Sequence, residues 1–155
     1  MRTFWITSVL AFVVDQVSKY WVFYGLGVAG SRGLEVLPPY LVFITGYNTG
    51  INFGLFAAGE ARLVLIGLAL AISLMLAIWA RRSFTTWVQY ASAGLVVGGA
   101  LGNALDRLFH PGVMDFLNMS CCGIDNPYIF NLADVFIFAG AAGLLLFTGE
   151  RKKSP

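Results

Sequence analysis

The sequence predicts an all-α membrane protein of four transmembrane helices with a small outward-facing β-rich cap. Three observations point there. Hydrophobic residues fill 58% of the 155 positions and charged residues only 12%, whereas a soluble domain carries about 25% charge. Four segments approach the roughly 20 apolar residues that cross a hydrocarbon core. The basic residues gather at the chain ends and in one loop, which is a topology signal. Residues 1–155 read as one membrane-embedded domain.

The first candidate span is Phe4–Tyr24. Asp15 and Lys19 interrupt it, and no A-x-A-like site follows, so a cleavable signal peptide is not expected. The next segment, 25–62, is too long for a plain connector. Its Leu41–Thr45 run is rich in β-branched residues, and Gly46 and Asn48-Thr49-Gly50 mark turns, so a β-rich cap is expected here. The second span, Leu63–Ala80, has no charge at all. The third, Trp87–Leu105, carries Gly94, Gly98 and Gly102 on one face, a ladder that lets a neighbouring backbone come close. After a second outward segment, 106–127, the fourth span is Tyr128–Thr148, with one acid, Asp134. Trp5, Trp21, Trp79, Trp87 and Tyr128 fall near span ends, where amphipathic rings prefer the interface.

Four spans put both termini on one side. Arg2, Arg81, Arg82, Arg151, Lys152 and Lys153 fall on that side, and Arg32, Arg62 and Arg107 on the other. The positive-inside rule then makes both termini cytoplasmic and turns segments 25–62 and 106–127 outward.

Composition also excludes functions. A net charge of +2 without a basic stripe argues against nucleic acid. Cys121 and Cys122 are adjacent, and His110 is the only histidine, so neither a zinc site nor a CxxC redox pair is expected. The two cysteines read as unpaired loop thiols, because a bond between neighbours is far from preferred disulfide geometry. No HExxH or GxSxG is present. His110, before Pro111, reads as a loop or interfacial histidine.

Ionisable groups inside a membrane are costly and need a reason. Asp15 and Lys19, four apart, suit an ion pair facing the bundle, or else a relay for protons or ions. Asp134 would lie roughly 9 Å below the outer surface, at 1.5 Å per residue from Tyr128. Asn131 is three residues earlier, on the same helical face. Asp115, in the outward loop after the third span, can approach Asp134 from above. Alone, Asp115 reads as a solvated loop acid and Asp134 as a helix-packing polar group. Together they suit a water-activating acid pair, one ionised to take a proton and one protonated to polarise a carbonyl.

Five motifs occur in order: Asp15-Gln16-Val17-Ser18-Lys19; Tyr47-Asn48-Thr49-Gly50 with Phe53; Gly98 to Arg107; Val113-Met114-Asp115-Phe116; and Phe130-Asn131-Leu132-Ala133-Asp134. In these the chain resembles the bacterial lipoprotein signal peptidases (signal peptidase II) over nearly its whole length. The resemblance implies a metal-free, cofactor-free aspartyl endopeptidase of the inner membrane, with Asp115 and Asp134 as the catalytic dyad near the outer leaflet. It implies Asn48, Gly50, Asn103, Arg107 and Asn131 as site-lining or site-supporting groups, and Asp15/Lys19 as a structural pair. The implied substrate is a prolipoprotein whose cysteine already carries diacylglycerol, cut just before that cysteine. Membrane lipid and globomycin-like cyclic peptide inhibitors are the other implied partners. Two departures stand out. Pro111 occupies a place where the family often has glycine, with Gly112 one later, and Asn52 stands where a small residue is common.

The rival reading is a small proton-coupled transporter or channel using Asp15, Lys19 and Asp134 as relay groups. It expects acids strung across the bilayer, whereas Asp106, Asp115 and Asp134 gather at one outer level. A non-catalytic lipid-binding protein is a third class, and the presence of both aspartates argues against it.

Overall fold

The computed structural model describes residues 1–50, 58–121, 123 and 126–148. Asn52, Phe53, Cys122, Arg151, Lys152 and Lys153 lie outside them. Four α-helices carry the fold: α1 (Arg2–Tyr20), α2 (Ala58–Ser83), α3 (Trp87–Phe109) and α4 (Leu132–Thr148). A π-helical turn, Trp21–Gly25, extends α1. Three antiparallel strands, β1 (Leu34–Leu37), β2 (Leu41–Asn48) and β3 (Val113–Met119), form one sheet in the order β1-β2-β3.

Helix α3 is the axis and packs on α1, α2 and α4. Its start is fixed by a capping box: Thr86 Oγ1 accepts from the Gln89 N–H, and the Gln89 side chain accepts from Thr86 N–H. Its glycine ladder faces α1. A Cβ at Gly94 would strike Thr7 and the Phe4 carbonyl, one at Gly98 the Ser8 carbonyl, and one at Gly102 the Asp15 carboxylate. A second close approach, at Gly99 and Gly140, seats α4 on the opposite side. Small residues thus let three backbones meet where larger ones would hold them apart.

The helices differ from the sequence-predicted spans in informative ways. Helix α3 runs a further turn, to Phe109, so Asp106 and Arg107 belong to the helix and not to a loop. Helix α4 begins at Leu132 and not at Tyr128. Phe130 is committed elsewhere: its N–H donates to the Leu117 carbonyl, and its own carbonyl accepts from Phe116 and Leu117. A backbone bonded to a strand is not free to start a helix. Asp134 therefore sits in the first turn of α4, not six residues into a helix.

The cap is a real sheet, and it draws on both segments. Leu41–Thr45 lies within β2 as the β-branched run suggested, but β3 comes from the second segment. Asp115, expected in a loop, is in the middle of β3, opposite Gly46. Val22, Phe23, Val28, Met114 and Phe116 form a buried cluster that fastens the sheet to the end of α1.

Among the described residues, one helix segment, Ala61–Ser83, is long and apolar enough by itself to cross a membrane; Leu132–Thr148 is apolar but shorter. Cys121 is disulfide-bonded, which corrects the expectation of an unpaired thiol there.

Candidate active site

The site grows from a buried polar knot between α1 and α3. Lys19 Nζ lies 2.7 Å from Asp15 Oδ2 and 2.7 Å from Asp106 Oδ2. It also donates to Asn103 Oδ1 at 3.0 Å. Two hydrogen bonds and a second carboxylate in ion-pair contact thus surround the ammonium, the kind of compensation a fully buried lysine requires. Gln16 Nε2 donates to Asp106 Oδ1 at 3.0 Å.

From this knot the bonds lead to Asp134. Asn103 Nδ2 donates to Asp134 Oδ1 at 3.0 Å. Asn131 occupies the position just before α4, and its Oδ1 accepts from the Asp134 N–H at 3.0 Å. In return Asp134 Oδ2 accepts from the Asn131 N–H at 3.3 Å. This reciprocal pair is a capping box, with an acid three residues after its cap. It fixes the rotamer of Asp134 and places it at the positive end of the helix dipole. Both carboxylate oxygens accept hydrogen bonds, as an ionised acid can.

Asp115 is mounted differently. It is 1% exposed. Asn131 Nδ2 donates to its Oδ1 at 2.5 Å. Its Oδ2 is buried with no hydrogen-bond partner among the described residues. Burial pushes the carboxyl up to about 6, and the nearby charge of Asp134 adds to the rise. The Asn131 and Asn48 amides and the Lys19 charge oppose it without reversing it. Asn131 thus holds one acid by its amide N–H and caps the helix of the other with its amide oxygen.

The remaining site candidates form a rim. Asn48, at the end of β2, accepts the Gly50 N–H through Oδ1 at 2.9 Å. Gly50 has φ +80, and a Cβ there would lie 3.3 Å from Arg107 Nη2, so glycine suits both the turn and the guanidinium. Arg107 Nη1 donates to the Asn103 carbonyl at 3.1 Å, while Nε is buried without a partner among the described residues. Gly112 sets the approach of β3 to β2: a Cβ on it would lie 2.6 Å from the Asn48 carbonyl oxygen. The close contact thus falls on Gly112, next to Pro111. Outside the rim, His110 Nε2 lies 3.2 Å from the Tyr20 hydroxyl, and its ring stacks on Tyr47.

An apolar groove of about 580 Å³ leads to the acid end, lined by Phe130, Asp134, Val135, Phe138 and Ala139. The structure therefore joins Asp15, Lys19, Asn103, Asp134, Asn131 and Asp115 into one hydrogen-bonded chain, with Arg107, Asn48 and Gly50 beside it. The sequence reading missed Asp106 as a member. The signal was present, because Asp106 is the next rung of the ladder, four residues past Gly102. No group of three or more metal-ligating side chains lies among the described residues.

Comparisons with known proteins agree with one another. A family model described as signal peptidase (SPase) II matches residues 7–149. The lipoprotein signal peptidase of Rhodopseudomonas palustris (strain ATCC BAA-98 / CGA009) is 41% identical over 145 residues, covering 90% of this chain and 87% of that protein. That of Methylorubrum extorquens (strain PA1) is 38% identical over 135 residues, covering 86% and 77%. A bacterial membrane enzyme solved by the in meso method at 2.3 Å resolution matches with a TM-score of 0.79 and 25% identity, over 100% of this chain and 94% of that one. A second such structure, at 1.9 Å, shares the fold with a TM-score of 0.80 at 23% identity, over 98% and 96%.

Proposed function

The chain belongs to the signal peptidase II family, and we propose that Asp115 and Asp134 are the acid pair with which it removes signal peptides from prolipoproteins. Membership makes it a peptidase, and it lends nothing to the transporter reading. The observation that carries the aspartyl mechanism is the shared asparagine. Asn131 is bonded to both acids, and the second oxygen of Asp115 is buried without a hydrogen-bond partner among the described residues.

The chemistry follows from the two settings. The Asp134 carboxylate takes a proton from a water molecule, and the oxygen attacks the scissile carbonyl carbon. Protonated Asp115 gives its proton to the carbonyl oxygen, and a tetrahedral diol forms. Asp134 then passes its proton to the departing nitrogen, the C–N bond breaks, and Asp115 recovers a proton from the diol. No metal is needed in this sequence of steps.

The substrate is a diacylglyceryl-modified prolipoprotein, cut before its lipidated cysteine. The groove of Phe130, Val135 and Phe138, with Asp134 among its lining residues, suits an apolar signal segment delivered from the bilayer. We read all four helices as spans, with both termini cytoplasmic and the acids near the outer leaflet. Helix α4 is about 26 Å long at 1.5 Å per residue. Asp15 and Lys19 of α1 are fully buried in the knot, away from lipid. Globomycin-like cyclic peptides would compete for the same groove.

The test is cleavage of a diacylglyceryl-modified preprotein by purified protein in detergent. Asp115→Asn and Asp134→Asn should each lower kcat by at least about a thousandfold, because an amide cannot cycle the proton. Their folding and membrane insertion should be unchanged, and a chelator should leave the wild-type enzyme active. Retained cleavage in either variant would overturn the dyad.

A further inference from the structure

We propose that Asp106 is a positioning residue that, through Lys19, sets the two members of the acid pair relative to each other. The inference rests on the dyad reading and goes beyond it. Its basis is a symmetry in the buried knot. Asp15 Oδ1 accepts the N–H of Ala133 at 2.9 Å, the residue immediately before Asp134. Asp106 Oδ2 accepts the N–H of Met114 at 3.1 Å, the residue immediately before Asp115. Each knot carboxylate therefore grips the backbone one residue upstream of a dyad acid. Lys19 lies between the two grips, 2.7 Å from each.

The topology makes such a tie useful. Asp115 rides on β3 and Asp134 on α4. One ammonium touching both grips fixes the separation of the two elements without touching substrate. The knot is also an expensive way to hold a fold together. Two carboxylates and one ammonium, all buried, carry a desolvation cost that apolar packing of the same volume would avoid. A displacement of about 1 Å at a catalytic group costs on the order of a hundredfold in rate. Placement of the dyad is a return that apolar packing would not supply.

The charge count makes the test practicable. The triplet of Asp15, Lys19 and Asp106 sums to −1, so Asp106→Asn leaves a neutral pair inside the bundle and should fold. It weakens the grip on Met114 and frees Lys19 to move toward Asp15. We expect kcat to fall by about ten- to a hundredfold. KM for lipidated preprotein should stay within about twofold, because no substrate-touching group has changed. The two apparent values of the pH–rate profile should also move, since their separation depends on the distance between the acids. A residue with a merely structural role would lower the melting temperature and leave the kcat of the folded fraction and the profile untouched. That result overturns the inference.

Gln16→Met is the milder second variant. It keeps all three charges and removes the hydrogen bonds from Gln16 Nε2 to Asp106 Oδ1, Asp15 Oδ2 and the Gly102 carbonyl, at 3.0, 3.2 and 3.3 Å. It should lower kcat at least about fivefold, the factor that corresponds to about 1 kcal/mol for the shortest of these bonds. If Asp106→Asn does not accumulate as folded protein, wild-type kcat in Gln16→Met rejects the proposal. Failure of the inference is separable from failure of the dyad. Full activity in Asp106→Asn beside dead Asp115→Asn removes the positioning role alone, whereas active Asp115→Asn removes the dyad itself.

Discussion

Asp115 and Asp134 are joined through Asn131 but belong to different kinds of structure. Asp134 stands at a helix start, with both oxygens bonded, in the field of the α4 N-terminus. Asp115 stands in a strand, almost fully buried, with one oxygen bonded and the other without a hydrogen-bond partner among the described residues. In the proposed mechanism these mounts suit the two identical side chains to opposite tasks. The helix end favours an acceptor-only carboxylate, and the buried strand favours a proton donor. A pair on two similar mounts would have to divide its proton by mutual repulsion alone.

The comparison can be broken most completely at Asn131, which serves both mounts. Asn131→Ala removes the cap of α4, worth about 1 kcal/mol. It also removes the amide that orients Asp115. We expect kcat to fall by about a hundredfold or more, with a melting temperature lowered by a few degrees. Wild-type kcat in this variant would show that neither acid depends on the shared asparagine.

Gly112→Ala should break the strand mount alone. The added Cβ meets the backbone of Asn48 and Thr49, at 2.6 Å from the Asn48 oxygen and 3.0 Å from the Thr49 nitrogen. Backbone cannot rotate away as a side-chain tip can, so β3 must shift and carry Asp115 with it. A kcat about tenfold lower is expected, measured against Gly67→Ala as control. A Cβ at Gly67 meets nothing within 4 Å. Equal kcat in the two variants would show that the β2–β3 approach does not tune Asp115.

How much of this was legible in the sequence differs between the same two regions. The hydrophobic runs located each of the helices to within a turn or so, because apolar runs and a glycine ladder are local signals. Strand β3 was not legible. Val113–Phe116 is buried throughout, so it lacks the alternation that marks a half-exposed strand. The start of α4 was hidden because Tyr128, Ile129 and Phe130 continue its apolar run. Only the pairing of Phe130 with β3, separated by thirteen residues from Leu117, decides where the helix begins. The Asn131-x-x-Asp134 spacing of a capping box was on the page and would have set that boundary. Asp106 was lost with the last turn of α3. The resemblance implied Asp115 and Asp134 as the acids proposed here, and their mounts come from tertiary pairing that no single segment encodes.

The smallest expected effect sharpens the comparison by titration. Burial holds the Asp115 carboxyl up at about 6, above its ordinary 3.8. The step from water to diol needs Asp115 protonated. The kcat/KM of the free enzyme should therefore fall as pH rises through an apparent value near 6. That value belongs to the pair, since Asp134 is one of its causes. The Asn48 amide lowers the carboxyl's value, so Asn48→Ala should move this basic limb upward. The sign for stability is the reverse of the usual carboxylate case. A folded value raised above the unfolded one means that the folded state holds the proton longer. The contribution of Asp115 to stability is then present below about pH 3.8 and lost as pH rises through 6. Asp115→Asn should match the wild type in melting temperature near pH 4 and exceed it near pH 8. The gain should be small, because the amide keeps the packing and removes only the strained charge. If Asp115→Asn is instead less stable at pH 8 than at pH 4, relative to wild type, the strand mount favours the charged acid and the assignment of roles to the two aspartates must be exchanged.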